Sequence, residues 1–159
     1  MAGKADQSLS ENLNPSQLLD LCQNMHLIAT VEVALTELSK EGVLRGSLHL
    51  ATGQEALPVG CGMALKKDDL ITVTYRGHGY VLAKGCDLVS VLAEILGKAD
   101  GLCKGKGGKM HLTDLPNGLL GANGIVGAGV PIAAGGALSS WVLGDKRVAV
   151  TVFGDGALN

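Results

Sequence analysis

Aromatic side chains are nearly absent. Trp141, Tyr75, Tyr80 and Phe153 are the whole set, 3% of 159 residues. A core built from this chain must be filled by aliphatic side chains, and the stacking platforms that bind single-stranded nucleic acid are excluded. Charge is also sparse: 18% of residues are charged, 13 basic against 15 acidic, for a net charge of −2. No basic surface calling for a nucleic acid follows from that balance. Cys22, Cys61, Cys86 and Cys103 form no C-x-x-C pair, which argues against a zinc ribbon or a thioredoxin-type redox pair. Isolated thiols in apolar stretches are expected to be reduced and buried, in a cytoplasmic compartment. The opening MAGKADQSLSENLN lacks the apolar core of a secretory signal.

What is abundant is apolar residues, 47% of the chain, and glycine, 24 residues in all and densest between Gly97 and Gly136. That composition fits one globular domain with a real core. Residues 115–144 carry no charge, a length sufficient to span a bilayer. Pro116, Asn117, Asn123, Pro131 and many glycines interrupt the run, and anchoring residues are missing at its ends. A buried Gly/Ala-rich helix preceded by a loop accounts for it, and no membrane partner is expected.

Residues 1–14 read as a flexible tail and residues 15–159 as one domain. Asn14-Pro15 is a helix start, Asn as cap and Pro in the first turn. Leu18, Leu21, Met25, Ile28, Leu35 and Leu38 recur at helical spacing as far as Gly42, a C-cap. A connector carrying Arg45 and His49 leads to a second helix over 54–66, where Gly60 and Gly62 imply close packing. The β-branched run 70–74 predicts a strand ending at Tyr75-Arg76-Gly77-His78. Short helices are predicted over 79–84 and 87–96, then a long glycine-rich loop over 97–124. A loop of that length is usually functional. A buried helix over 127–142 and a buried strand over 147–153 follow, the strand closing on Gly154-Asp155-Gly156. Helices alternating with strands predict an α/β fold with a parallel sheet.

Several short patterns bear on chemistry. Asp155, between two glycines after a strand, offers a hard oxygen ligand for Mg²⁺ or Ca²⁺, although a plain turn has the same form. Gly121–Val130 orders its glycines unlike a dinucleotide fingerprint, with no strand expected just before it, and a P-loop is missing. A backbone turn able to clasp a flat heterocycle remains. Arg76 can pair with phosphate and Tyr75 can add a hydroxyl, or the pair can be a surface turn. His26, His49, His78 and His111 lack metal-site spacing. Lys98, Lys104, Lys106 and Lys109 read as a solvated loop.

Taken together, RGSLHLATGQEAL (45–57), TYRGHGYVLAKG (74–85), GKADGLCKGKGGKMH (97–111), GANGIVGAGVPIAAGGAL (121–138) and VAVTVFGDGALN (148–159) resemble successive blocks of one family. It comprises the alpha subunits of thiamine-diphosphate-dependent pyruvate, branched-chain 2-oxo acid and acetoin dehydrogenases. The resemblance implies the thiamine-diphosphate-binding fold, a parallel sheet flanked by helices, here its N-terminal half. It implies that Asp155 is the Mg²⁺ ligand, lined by Gly156 and Ala157. Tyr75 and Arg76 would contact the cofactor diphosphate, and Gly124 and Val126 the aminopyrimidine through main-chain groups. His49 would stand at the substrate end, and His78 would contact substrate or brace its loop. The implied activity is decarboxylation of a 2-oxo acid such as pyruvate, or cleavage of acetoin. The acyl group would pass to a lipoyl-bearing acyltransferase component. The implied partner is a beta subunit, in an α2β2 assembly, which supplies the carboxylate that activates the aminopyrimidine. In this family a second metal ligand, an Asn, follows further downstream. This predicts a truncated chain with weak metal affinity, inactive alone; the alternative is a non-catalytic subunit-interaction fragment.

Overall fold

The computed structural model describes residues 13–159. The tail expected over residues 1–14 therefore lies, as far as residue 12, outside the described residues. Helix α1 spans Pro15–Lys40. Its start is a reciprocal cap: Asn14 Oδ1 accepts from the Gln17 amide at 2.9 Å, and Gln17 Oε1 accepts from the Asn14 amide at 3.0 Å. Its end is closed by Gly42, which adopts φ of 74° while Val43 and Leu44 donate back to the Leu38 carbonyl. Among the described residues α1 is the one helix long and apolar enough to cross a membrane. Its Ile28–Val31–Glu32–Leu35 stripe nonetheless lies inside the core.

Helices α2 (Ala56–Ala64), α3 (His78–Ala83) and α4 (Leu88–Ile95) complete one layer. Close packing of α2 on α3 needs a missing side chain at one of the two positions expected. A Cβ at Gly62 would sit 2.8 Å from that of Ala83, whereas Gly60 faces open space. Strand β1 (Leu70–Thr74) has the predicted bounds. Ile71 and Val73 face the helical layer and cluster with Ile28, Leu35, Val81 and Val91. Leu70 and Thr72 face the opposite way, as the two-residue period of a strand requires.

Two further strands pair with β1 in parallel, giving the order β2-β1-β3. Strand β2 (Leu119–Asn123) lies inside the stretch expected to be a loop. Its sequence, LLGAN, has neither β-branched residues nor alternation. Pairing creates the strand: it follows β1 from Ile71↔Leu119 to Thr74↔Asn123, with an irregularity accommodated at Gly121. Helix α5 (Gly129–Leu143) crosses all three strands on the Leu70/Thr72 face. Gly136 permits this approach, since a Cβ there would stand 3.1 Å from the Leu70 and Leu120 side chains.

Three burial expectations are corrected. α5 is not a buried helix: only Ala133 and Ser140 are buried, and Trp141 is 79% exposed. Its small residues meet the sheet, and its larger ones point outward. β3 (Ala149–Thr151) is half-buried because it pairs on one side only among the described residues. Nor are the thiols uniformly buried, since Cys22 is exposed. Cys86 is buried, and burial, with the Asp114 side chain second, pushes its thiol up to about 12.

Asp69, just before β1, pins the edge strand. Its Oδ1 accepts from the Val148 amide at 2.9 Å and its Oδ2 from the Lys66 amide at 2.8 Å. Burial would raise this carboxyl, but those amides and the Lys66 and Lys84 charges outweigh it and hold it below the ordinary range. A depressed carboxyl adds stability above its unfolded pKa and loses it as pH falls through the folded value. Acidification below roughly pH 3.9 is therefore expected to free β3 before β1. Faster amide exchange at Val148 than at Val73 checks this; simultaneous release contradicts it.

Candidate cofactor site

All three strands point their carboxyl ends the same way. The chain leaves β1, runs to β2 on one side, then returns across β1 to β3 on the other. The connection therefore reverses direction beside β1, and such reversals open a crevice at the strand ends where ligands bind. A cavity of about 650 Å³ occupies that place, a size usual for a small-molecule site. Thr74, Tyr75 and Arg76 line it from β1, Asn123, Ile125 and Val126 from β2, and Phe153, Asp155, Gly156 and Ala157 from β3.

The lips carry opposite charge. Arg76 is exposed, its guanidinium carbon 5.7 Å from the Tyr75 ring centroid. At the end of β3, Asp155 opens a short 3₁₀ helix, Asp155–Leu158, exposed and without an ion pair among the described residues. One lip can hold an anion and the other a hard cation. No group of three or more His, Cys, Asp or Glu assembles a metal cage among the described residues. Asp155 by itself offers a single carboxylate, enough only for a metal that completes its shell with phosphate oxygens and water.

The β2 lip is a tight turn. Asn123 Oδ1 accepts from the Ile125 amide at 2.8 Å, and Gly127 takes φ of 78° before α5 begins. At Gly129 a Cβ would press on Thr151 Oγ1 at 2.6 Å, so the helix start seats against β3 only as glycine. Tyr80 also lines the cavity, and burial, with Cys61 second, pushes its hydroxyl up to about 12. It therefore remains a neutral hydrogen-bonding group at working pH.

Tyr75, Arg76, Val126, Asp155, Gly156 and Ala157 thus converge on one cavity. Gly124 sits between two lining residues without lining the cavity itself. His49 stands behind the wall: its ring meets that of Tyr75 edge-on at 4.6 Å, and its Nδ1 is buried without a partner. His78 does not line the cavity, and of the two roles the resemblance left open, substrate contact or bracing its loop, its surroundings match the second. It is 1% exposed, with Nδ1 3.1 Å from Glu32 Oε1 and Nε2 donating to the Lys109 carbonyl at 3.1 Å. Both ring nitrogens are engaged, so His78 braces the fold. Gln54, Leu57, Tyr80, Asn123 and Phe153 line the cavity without having been singled out from the sequence.

Two buried carboxylates escaped the sequence reading. Glu32 Oε2 accepts from the Ala51 amide at 3.2 Å, which ties the connector carrying His49 to α1. A charged residue within an apolar helical stripe was the available signal. Glu94 is wrapped by the glycine-rich loop, and no spacing rule announces that.

Comparison with known proteins agrees with this geometry. Residues 23–159 match the family described as dehydrogenase E1 component. The chain is 51% identical to the alpha subunit of acetoin:2,6-dichlorophenolindophenol oxidoreductase from Bacillus subtilis, over 93% of this chain and 44% of that protein. The Cupriavidus necator protein of the same name is 42% identical, over 100% of this chain and 48% of its own length. The mitochondrial pyruvate dehydrogenase E1 component subunit alpha of Pisum sativum is 41% identical, over 96% of this chain and 38% of its own length. The chain thus spans less than half the length of these relatives. With its parallel sheet, its cavity and this match over most of its length, the chain belongs to the dehydrogenase E1 component family, whose members depend on thiamine diphosphate.

Proposed function

We propose that the cavity holds thiamine diphosphate with its diphosphate bridged by Mg²⁺, as part of an oxidoreductase subunit acting on a 2-oxo acid such as pyruvate, or on acetoin. The observation that carries this reading is that Arg76 and Asp155 line one cavity at the carboxyl ends of adjacent parallel strands. Bound there, the cofactor supplies a nucleophilic carbon and an electron sink. The protein's part is to bind, orient and exclude water. Arg76 pairs with diphosphate oxygens and the Tyr75 hydroxyl adds a hydrogen bond. Asp155 contributes one oxygen to the metal, and the side-chain-free Gly156 and small Ala157 let the diphosphate approach the backbone. Main-chain groups of Val126 would meet the aminopyrimidine, with Gly124 shaping the turn that presents them. His49, whose ring packs against Tyr75 without lining the cavity, would act at the substrate end, where an anionic substrate and a developing oxyanion need donors, once its ring is turned toward the site.

The relatives' names support this reading, since each is an alpha subunit of an acetoin or pyruvate enzyme. We extend it to the partners: a beta subunit, and a lipoyl-bearing acyltransferase component that receives the acyl group. The four free thiols accord with a reducing cytoplasmic setting. A second reading, a non-catalytic subunit-contact fragment, has one observation in its favour. Leu138, Trp141, Val142 and Leu143 present an exposed apolar face on α5.

Calorimetric titration of the chain tests the cofactor reading. Thiamine diphosphate is expected to bind weakly, and more tightly with Mg²⁺ present than with chelator, while thiamine without phosphate gives no comparable heat. Equal binding of the two compounds, or indifference to Mg²⁺, contradicts it.

A further inference from the structure

Glu94, at the end of α4, is a completely buried carboxylate held by amides rather than by a cation. Oε2 accepts from the Cys103 and Gly105 amides at 2.7 and 2.8 Å, and Oε1 from the Gly107 and Gly108 amides at 2.7 and 2.9 Å. An ionised carboxylate is an acceptor with room for all four donors. One loop glycine follows from this contact: a Cβ at Gly101 would stand 2.5 Å from Oε2, whereas one at Gly107 would meet the His111 carbonyl first. Burial would raise the carboxyl, but the Gly105, Gly108, Cys103 and Gly107 amides outweigh it and keep it low.

The residues that follow the cradle touch both walls of the cavity's surround. Lys109 Nζ donates to the Arg45 and Gly46 carbonyls at 2.6 and 3.1 Å, on the connector that carries His49. The His111 ring lies on the outside of the β2 turn, its Cε1 3.5 Å from where a Gly124 Cβ would be. Just beyond, the Leu112 carbonyl accepts from Ala122 of β2 at 2.8 Å. The loop is thus clamped at one end by Glu94 and at the other by β2, with Lys109 and His111 between.

We propose that Glu94 is a positioning residue for the cofactor site: its carboxylate fixes the 103–111 loop and thereby sets His111 against the Gly124 turn and Lys109 against the His49 connector. The proposal rests on the cofactor reading above for its purpose, and on the cradle alone for its geometry. No substrate contact is assigned to Glu94 itself.

The test is heteronuclear NMR on the labelled chain, wild type against Glu94→Gln. The amide has one acceptor oxygen and turns N–H groups toward N–H groups, at nearly unchanged volume. In the wild type, the Cys103, Gly105, Gly107 and Gly108 amides are expected to exchange at least about 100-fold more slowly than unstructured glycine-rich peptide. The His111 ring should show a through-space contact to the Gly124 α-protons. In Glu94→Gln, those amides should speed at least about tenfold and the His111–Gly124 contact should vanish, with Val73 and Val91 still protected. The Gly124 shift caused by thiamine diphosphate and Mg²⁺ should then fall or disappear, a readout that general stability does not move. Unprotected loop amides in the wild type, or a Gln variant with unchanged exchange and contact, overturn the proposal; the wild-type measurement decides if the variant does not fold. Failure of the cofactor reading looks different: the cradle is protected, yet no resonance at Gly124 or Val126 responds to the cofactor in wild type.

Discussion

Replacing Asp155 by alanine removes the Mg²⁺-dependent part of thiamine diphosphate binding, with a fall in affinity of at least about tenfold in saturating Mg²⁺. The size follows from the geometry. Asp155 is exposed at the cavity lip, and among the described residues no other carboxylate lines the cavity. The sign reverses when the metal is chelated. Asp155 then faces the diphosphate as one anion faces another, so the variant binds as well as the wild type or better. A variant that loses affinity equally with and without Mg²⁺ has lost its fold, not its metal ligand. Calorimetry at matched ionic strength, with Mg²⁺ and with chelator, separates these outcomes.

Arg76→Ala is expected to weaken thiamine diphosphate by roughly tenfold and to leave thiamine itself almost unaffected. The guanidinium is exposed, so its share should shrink as salt rises and the Debye length shortens. Arg76→Lys keeps the charge but not the planar fork, and should recover part of the loss. Competition binding of the two compounds at low and high salt checks all three statements. An equal effect on thiamine and thiamine diphosphate contradicts the assignment of Arg76 to the diphosphate.

The sequence showed these residues because strand ends write themselves in composition. Leu70–Thr74 is a β-branched run that stops at a polar cluster, and the strand has those bounds. Asn14-Pro15 and Gly42 bracket α1 because caps need particular side chains and a particular φ. β2 left no comparable mark. Leu119 and Ala122 are buried, but the strand exists through its pairing with β1, which a local window does not contain. The exposure of α5 was illegible for a related reason. Its glycines and alanines are uncharged on every side, so apolarity alone did not say which side meets the sheet.

At the site, the legible residues were those with chemistry at their tips. Tyr75, Arg76 and Asp155 converge on the cavity, as their positions after predicted strands suggested. His78 misled because a histidine beside Arg76 at a strand end reads as polar surface. It starts α3 instead, turned inward to Glu32 and the Lys109 carbonyl. Glu94 was invisible because its four partners are backbone amides, and any sequence supplies those. The glycines around it were conspicuous, but only the fold says which carboxylate they make room for.

The claim on which everything turns is that three strand ends form one pocket for one ligand. Titrating the isotope-labelled chain with thiamine diphosphate and Mg²⁺ tests it most directly. Amide resonances of Arg76, Val126 and Ala157, one from each strand end, should shift together along a single binding curve, and thiamine should fail to move Arg76 or Ala157. Independent curves at the three positions, or a response confined to one strand end, would contradict a shared site.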